Sequence, residues 1–301
     1  MKLSVCMIVR NEEHCLARAL HSIKDLADEI IVVDTGSADR TTTIAREYTK
    51  NVYDLAWHDD FSEARNFSLS KATGDWVLVI DADEVIAPED HALMRSLLAQ
   101  PAVAYAFQQV SYTNDTTQYH YIPLVGNLRY QKYAHSFSGY ISCNIIRLFR
   151  NHRNIRFAGA VHESVDASCK EQGDVVKTDV WIHHYQFERG ADALREKQLY
   201  YLKIYEDHLD EYPDKARAYR DIASIYYTYT THYDRAINYF QKSLALNNNN
   251  KKIYAGLGLC YIKQQNFHDA LLIFEKGLEM FPGDTHLLHL KQFATQRQKD
   301  L

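Results

Sequence analysis

Trp76-Val77-Leu78-Val79-Ile80-Asp81-Ala82-Asp83-Glu84 is an apolar run that breaks off into three carboxylates. A short, β-branched run bounded by turn signals reads as a fully buried strand, and Thr73-Gly74-Asp75 supplies the turn before it. The acids therefore fall at the strand's carboxyl end, which in an open α/β sheet faces the crevice where ligands bind. Carboxylates this close together repel unless a cation lies between them. Oxygen ligands suit Mg²⁺ or Mn²⁺, which keep several waters and complete their shell with one or two carboxylates and a substrate's phosphates. The stretch reads as a clamp for a metal diphosphate. The plain alternative is a strand-to-helix turn, with an aspartate as N-cap before Pro88-Glu89-Asp90.

Upstream, strand and helix alternate. Leu3 to Val9 reads as a buried strand. Glu13 to Lys24 carries Leu16, Ala19, Leu20 and Ile23 at helical spacing, and Glu29 to Asp34 is a second strand ending in an acid. Thr35-Gly36-Ser37-Ala38-Asp39-Arg40-Thr41 turns into a helix through Tyr48, a short strand spans Asn51 to Asp54, and Phe61 to Ala72 is helical. Such alternation implies a parallel sheet with right-handed crossovers. Asn11 and Glu12 follow the first strand, Asp34 ends the second, and Asp81 and Asp83 end the central one, so polar groups from separate strands converge on one crevice. Neither Gly-x-Gly-x-x-Gly nor Gly-x-x-x-x-Gly-Lys is present, which leaves phosphate charge to metal and basic side chains. Arg65, on the helix leading into the central strand, is best placed for it, since a guanidinium matches phosphate oxygens in bidentate fashion.

Composition bounds the rest. A chain of 301 residues, 46% of them hydrophobic, has material for two domains. A net charge of -5 gives no global attraction to nucleic acid or anionic lipid. Cys6, Cys15, Cys143, Cys169 and Cys260 are odd in number, scattered and without a C-x-x-C pair, the pattern of reduced thiols in a cytoplasmic protein. Arg10 and Glu12 interrupt the first apolar run too early for a secretory signal, and no run approaches the roughly 20 residues of a membrane span.

Four blocks now carry a resemblance. Ser4-Val5-Cys6-Met7-Ile8-Val9-Arg10-Asn11-Glu12-Glu13, Ile31-Val32-Val33-Asp34-Thr35-Gly36-Ser37-Ala38-Asp39-Arg40-Thr41, Asp60-Phe61-Ser62-Glu63-Ala64-Arg65-Asn66 and Asp81-Ala82-Asp83-Glu84 stand in the order of the motifs of family 2 glycosyltransferases with a GT-A fold, and residues 1–187 resemble that domain. The resemblance implies a nucleotide-sugar donor, a UDP-sugar such as UDP-glucose or UDP-N-acetylhexosamine. It places Val9, Asn11, Glu12, Asp34, Arg65, Asp81, Ala82 and Asp83 around that donor, with Asp34 on the base, Arg65 near base and diphosphate, Asp81 near ribose or diphosphate, and Asp83 on a Mn²⁺ or Mg²⁺ ion.

From Ala102 to Tyr140 a strand, Val103 to Tyr112, gives way to an aromatic stretch with Tyr119, His120, Tyr121, Tyr130, Tyr133, His135, Phe137 and Tyr140. Tyrosines offer an apolar face and a polar tip, which suits a sugar ring or acceptor chain as well as a loop packing its own aromatics. A strand over Asn144 to Arg150 follows, whose Arg147 and Arg150 either line the site or face solvent. The Gly159, Val161-His162-Glu163 segment after it resembles an active-site block of the same family. An inverting transfer needs a carboxylate or imidazole to take the acceptor's proton, and Glu163 or His162 answers that need, with Asp166 next in line. The strand Val175 to Ile182 runs into His183-His184-Tyr185, which resembles the family's additional metal ligand. Adjacent strand residues face opposite ways, so one histidine reaches the metal and His184 is favoured.

After Phe187 the pattern is wholly helical. Ala191 to Leu209 is a long amphipathic helix, and Tyr227, Tyr233, Ala236 and Phe240 return 34 residues later as Tyr261, Phe267, Ala270 and Phe274, the tetratricopeptide period. Gly258 and Pro282 fall at consensus places, whereas Ser224 and Asn248 replace their counterparts in the earlier copy. Residues 188–301 are therefore expected to form an all-α domain with two repeats, about 217–250 and 251–284. So short an array packs on the catalytic domain, binds a peptide or builds a homodimer. The combined plan resembles the sublancin-type bacterial glycosyltransferases, which modify cysteine or serine of ribosomal peptides. It implies a metal-dependent inverting transferase acting on a peptide or protein. Cell-envelope sugar transferases share the amino-terminal motifs, and a repeat scaffold with a decayed sugar-nucleotide domain is the non-enzymatic alternative, against which the intact acids, Arg65 and His184 argue.

Overall fold

The computed structural model describes residues 1–116, 121–125, 129–151 and 154–299; Tyr119 and His120 of the aromatic stretch lie outside them. β1 (Leu3–Val9), α1 (Leu16–Ile23), β2 (Glu29–Asp34), α2 (Thr41–Tyr48), β3 (Asn51–Asp54), α3 (Phe61–Lys71) and β4 (Trp76–Val79) alternate along the chain. β1 pairs in parallel with β2 and β4, and β2 with β3. Both faces of β1, β2 and β4 are covered, which is why they read as continuous apolar runs. Leu3, Val5, Met7 and Val9 pack with Leu16, Ala19, Leu20 and Ile23 of α1, while Cys6, Ile31, Val33, Val77 and Val79 pack on the other face with Leu69 and Ala72. The turn into β4 requires glycine: a Cβ at Gly74 would lie 2.8 Å from the Ser4 backbone nitrogen and 2.9 Å from the Lys2 carbonyl.

The parallel arrangement expected from the alternation ends at β4. β5 (Glu84–Ile86), α4 (His91–Leu97), β6 (Ala104–Thr113), β7 (Ile122–Pro123), β8 (Gly139–Arg150), α5 (Asp166–Gln172) and β9 (Val175–His184) follow, and among the described residues the sheet has the order β3-β2-β1-β4-β8-β6-β9-β5, with β7 on β8. β8 begins at Gly139, earlier than the sequence pattern indicates, and runs antiparallel to both β4 and β6. Among the described residues only a 3-10 turn, Gln131–Tyr133, and no α-helix lies between β6 and β8, so the chain returns without the helical crossover of a parallel pair. The mixed sheet places the site in two ways. Leu78 faces Leu148, which brings Arg147 beside the carboxyl end of β4. The acids also leave β4 for β5 at the far edge, so Asp81 to Asp83 span the ends of the strands between them.

The chain divides into two compact units, Met1–Leu194 and Arg195–Leu301. α6 (Ala191–Asp207) begins in the first. The second holds α7 (Lys215–Tyr229), α8 (Tyr233–Leu246), α9 (Lys251–Lys263), α10 (Phe267–Met280) and α11 (Thr285–Lys299). Side-chain caps mark the helix starts: Asp214 accepts from the Arg217 amide, Asn250 from Lys252, Asn266 from Asp269 and Asp284 from Leu287. Phe274 is fully buried against Gly258, where a Cβ would come within 2.3 Å of the ring, which explains a glycine inside α9. Among the described residues no helix is long and apolar enough to cross a membrane.

Candidate active site

The loops after β1 and β2 are bonded to one another. Asn11, at φ 55°, accepts from the Ala38 amide through Oδ1 at 2.8 Å, and its own amide donates to Ser37 Oγ at 2.9 Å. The Glu12 amide donates to Thr41 Oγ1 at 2.7 Å, and the Val9 carbonyl accepts from the Thr35 amide at 3.0 Å. Asp34 is buried and closes a turn of its own: Oδ2 accepts from the Gly36 and Ser37 amides at 3.1 and 2.9 Å, while Ser37 Oγ bonds to Oδ1. Gly36 has φ 104°, a conformation that favours glycine and explains the Thr-Gly-Ser sequence.

A buried charge network fills the floor. Arg65 Nε donates to Glu163 Oε1 at 3.0 Å, and its Nη2 pairs with Asp81. Arg147 Nη2 donates to Asp81 Oδ2 and to Glu84 Oε1, both at 2.7 Å. Glu84, with no exposed surface, also accepts from the Asp81 amide at 2.8 Å and from Gln109 Nε2 at 2.5 Å. Burial favours the neutral acid at Asp81, but the guanidiniums of Arg147 and Arg65 outweigh it and hold its carboxyl well below the usual range. Arg147, which the sequence left between site and solvent, lies in the site.

Asp83 stands apart from that floor. Its Oδ1 lies 3.5 Å from His184 Nε2, and its Oδ2 lies 3.6 Å from Arg189 Nη2. Ser111 Oγ bonds His184 Nδ1 at 2.9 Å and so leaves Nε2 directed at the carboxylate. Burial disfavours the imidazolium, yet Asp83, with Glu84 and Asp81 behind it, lifts the His184 pKa above its ordinary value. The two histidines do face opposite ways. His183 bonds the Tyr112 hydroxyl through Nδ1 at 2.8 Å and stacks on Tyr133 at 4.1 Å, and burial pushes its pKa down to about 3. Ala82 is buried in the apolar core beside these acids. His162 is exposed at φ 51°, Glu163 is turned inward onto Arg65, and Asp166 opens α5.

Sequence reasoning passed over Arg189. It lies in a 3-10 turn, Gln186–Arg189, and its Nη2 donates to Glu12 Oε2 at 2.5 Å. Its one sequence signal is a basic residue close behind His184-Tyr185. The neighbouring Glu188 takes both Nη atoms of Arg18, at 3.2 and 2.7 Å, which ties the turn to α1. Arg65 Nη1, Arg147 Nε and Arg189 Nε are buried atoms with no hydrogen-bond partner among the described residues. Buried N–H groups of this kind cost free energy unless an acceptor meets them, and an anionic oxygen is the acceptor a guanidinium suits best. For a divalent cation, the carboxylate of Asp83 and the outward nitrogen of His184 form a hard-to-borderline donor pair of the right chemistry.

Residues 4–155 match the profile described as glycosyl transferase family 2. The chain belongs to that family. Residues 231–292 match a tetratricopeptide repeat profile. A TPR repeat-containing protein of Synechococcus elongatus is 39% identical over 203 residues, covering 65% of this chain and 44% of that protein. An uncharacterized glycosyltransferase of Rickettsia typhi is 32% identical, covering 58% and 54%. Glycosyltransferase SunS of Bacillus subtilis is 24% identical over 274 residues, covering 89% of this chain and 56% of that protein. The chain thus spans about half the length of these relatives. The crystal structure of Staphylococcus aureus TarS 1–349 in complex with UDP-GlcNAc superposes with a TM-score of 0.50 at 15% identity, covering 98% of this chain and 92% of that one. The family 2 domain has the GT-A-like mixed sheet, and a tetratricopeptide-like helical region follows it.

Proposed function

We propose that this family 2 chain is a cytoplasmic, inverting glycosyltransferase that moves a sugar from a UDP-sugar to a cysteine or serine of a peptide or protein. The observation that supports it most directly is the convergence of Asp83, His184 and three arginines with buried, unpartnered N–H groups at the carboxyl ends of the central strands. In this reading Asp34, with the Asn11 and Glu12 loop bonded to its turn, receives the base. Asp81, clamped by Arg65 and Arg147, faces the ribose or diphosphate. Asp83 and His184 hold Mn²⁺ or Mg²⁺, whose charge, when the ion is bound, stabilises the departing diphosphate. Glu163 accepts the acceptor's proton as the acceptor sulfur or oxygen forms its bond to the anomeric carbon. The bond from that carbon to the diphosphate oxygen breaks with inversion, and the nucleoside diphosphate leaves with the electron pair. Arg65 Nε fixes the orientation of the Glu163 carboxylate throughout.

The choice of a UDP-sugar is supported by the UDP-GlcNAc complex of TarS, and the choice of a peptide acceptor follows the resemblance to the sublancin-type transferases and the repeats. The test is to incubate the protein and Mn²⁺ with a panel of nucleotide sugars and peptides and to measure released nucleotide. Transfer with UDP-sugars, abolished by chelator and by Asp83→Ala while the circular dichroism spectrum is kept, is expected. Full activity in chelator overturns the metal assignment, and silence towards every donor overturns the enzymatic one.

A further inference from the structure

Arg189 competes for the place that the cation assignment gives to a metal. Its Nη2 lies between the Glu12 and Asp83 carboxylates, at 2.5 and 3.6 Å, and those side chains are only 13% and 9% exposed. Two acids this buried need a counter-charge, and the guanidinium supplies it. A divalent ion on Asp83 would then sit within a few ångströms of a fixed positive charge that repels it. The turn that carries Arg189 is held from outside by the bidentate Arg18–Glu188 pair, so the arginine has an anchored position.

Resting on the reading of Asp83 as a cation ligand, we infer that Arg189 is the resident counter-ion of this site and that it keeps free cation out, so that the ion enters together with the donor's diphosphate. The diphosphate removes the conflict. Its negative charge compensates both the ion and the arginine, and the buried Arg189 Nε, which has no partner, provides a donor for one of its oxygens. Ion and nucleotide then bind with positive coupling, and coupling is reciprocal: each raises the other's affinity by the same factor.

The test is titration of the 301-residue chain with Mn²⁺, read by electron paramagnetic resonance of the free ion, with and without UDP. Arg189→Gln is expected to bind free Mn²⁺ about tenfold more tightly than the wild type, while its affinity for Mn²⁺ in the presence of UDP changes less, so that the Mn²⁺–UDP coupling shrinks. Arg189→Lys keeps the charge and should stay near the wild type, which separates a counter-ion from a mere packing residue. Asp83→Asn should abolish Mn²⁺ binding in the presence of UDP, and if it does not, the cation assignment itself fails. If Asp83→Asn abolishes binding but Arg189→Gln takes up free Mn²⁺ no better than the wild type, the counter-ion inference fails alone. Glu12, His14 and Cys15 bring one ligand atom each within 4.8 Å of the others beside the same guanidinium. A gain from Arg189→Gln that survives Asp83→Asn would place the ion on that trio and overturn the inference.

Discussion

Arg147 carries more of this site than its place on β8 suggests. With a side chain 5% exposed, it bonds two carboxylates through a single nitrogen and so links Asp81 to the wholly buried Glu84. Removing one partner of such a group leaves a buried charge uncompensated. Arg147→Met should therefore destabilise the fold by about 3–5 kcal/mol, measured by urea unfolding, with Arg147→Lys recovering part of the loss. A loss below about 1 kcal/mol would mean that Arg65 and Gln109 suffice to hold both acids. Glu163 makes the complementary case. In Glu163→Gln the amide oxygen still accepts from Arg65 Nε, so geometry is kept while proton acceptance is lost. The turnover rate should fall by roughly 10² to 10⁴ with donor affinity little changed. Unchanged turnover on a hydroxyl acceptor would move the role to His162 or Asp166; a thiol acceptor, with a pKa near 8.5, needs the base less. The places of these two residues were unequally legible. Glu163 stands in a motif, whereas Arg147 depends on an antiparallel register, and one residue of slip would turn it outward.

Periodicity resolves elements well where the core covers both faces of a strand, as in β1 and β2, whose runs were readable to the residue. It says little about which strand lies beside which. The insertion of β8, β6 and β9 between β4 and β5 is decided by long-range pairing, so the crossing of the acids over those strand ends was hidden although β6, β8 and β9 were visible as strands, and the short β5 was not read at all. The opposite facing of His183 and His184 was legible for the contrary reason, because alternation on one strand is a local rule. In the helical unit, local rules dominate, and α11 offers a test. Asp284 caps it, accepting from the Leu287 amide at 3.0 Å, and takes Lys251 Nζ at 2.7 Å. The Lys251 bond, and then the Leu287 amide, hold its carboxyl below the usual range. A carboxyl depressed by folding stabilises at pH above its unfolded value, near 3.9, and loses that contribution as pH falls through the folded one. Asp284→Ala should thus cost about 1 kcal/mol at pH 7, and the gap between variant and wild type should close in thermal melts taken below about pH 4. A gap constant with pH would show that the cap acts through packing rather than through its charge.

The two compact units have cores of their own. Leu3, Val32, Leu78 and Phe107 belong to one, and Tyr254, Phe274 and Leu287 to another. A change from mixed periodicity to pure helix marks their succession in the sequence after Phe187, but the ion pairs of Glu188 and Arg189 return to α1 and to Glu12, and these lie past that change. Composition cannot show such a return, because the partners are far apart in the chain. The place of division has a measurable consequence. A fragment ending at Leu194 keeps both pairs and should bind UDP in the presence of Mn²⁺ as the 301-residue chain does. If the helical unit presents the acceptor, that fragment should transfer poorly to peptide while still releasing nucleotide slowly to water. A fragment ending at Phe187 loses Arg189 with the rest, and it should take up free Mn²⁺ as readily as Arg189→Gln does. Isothermal titration with Mn²⁺ and UDP, followed by peptide transfer assays on both fragments, separates these effects. Peptide transfer by the Leu194 fragment at the rate of the intact chain would remove the helical unit from acceptor recognition and leave it a role in assembly.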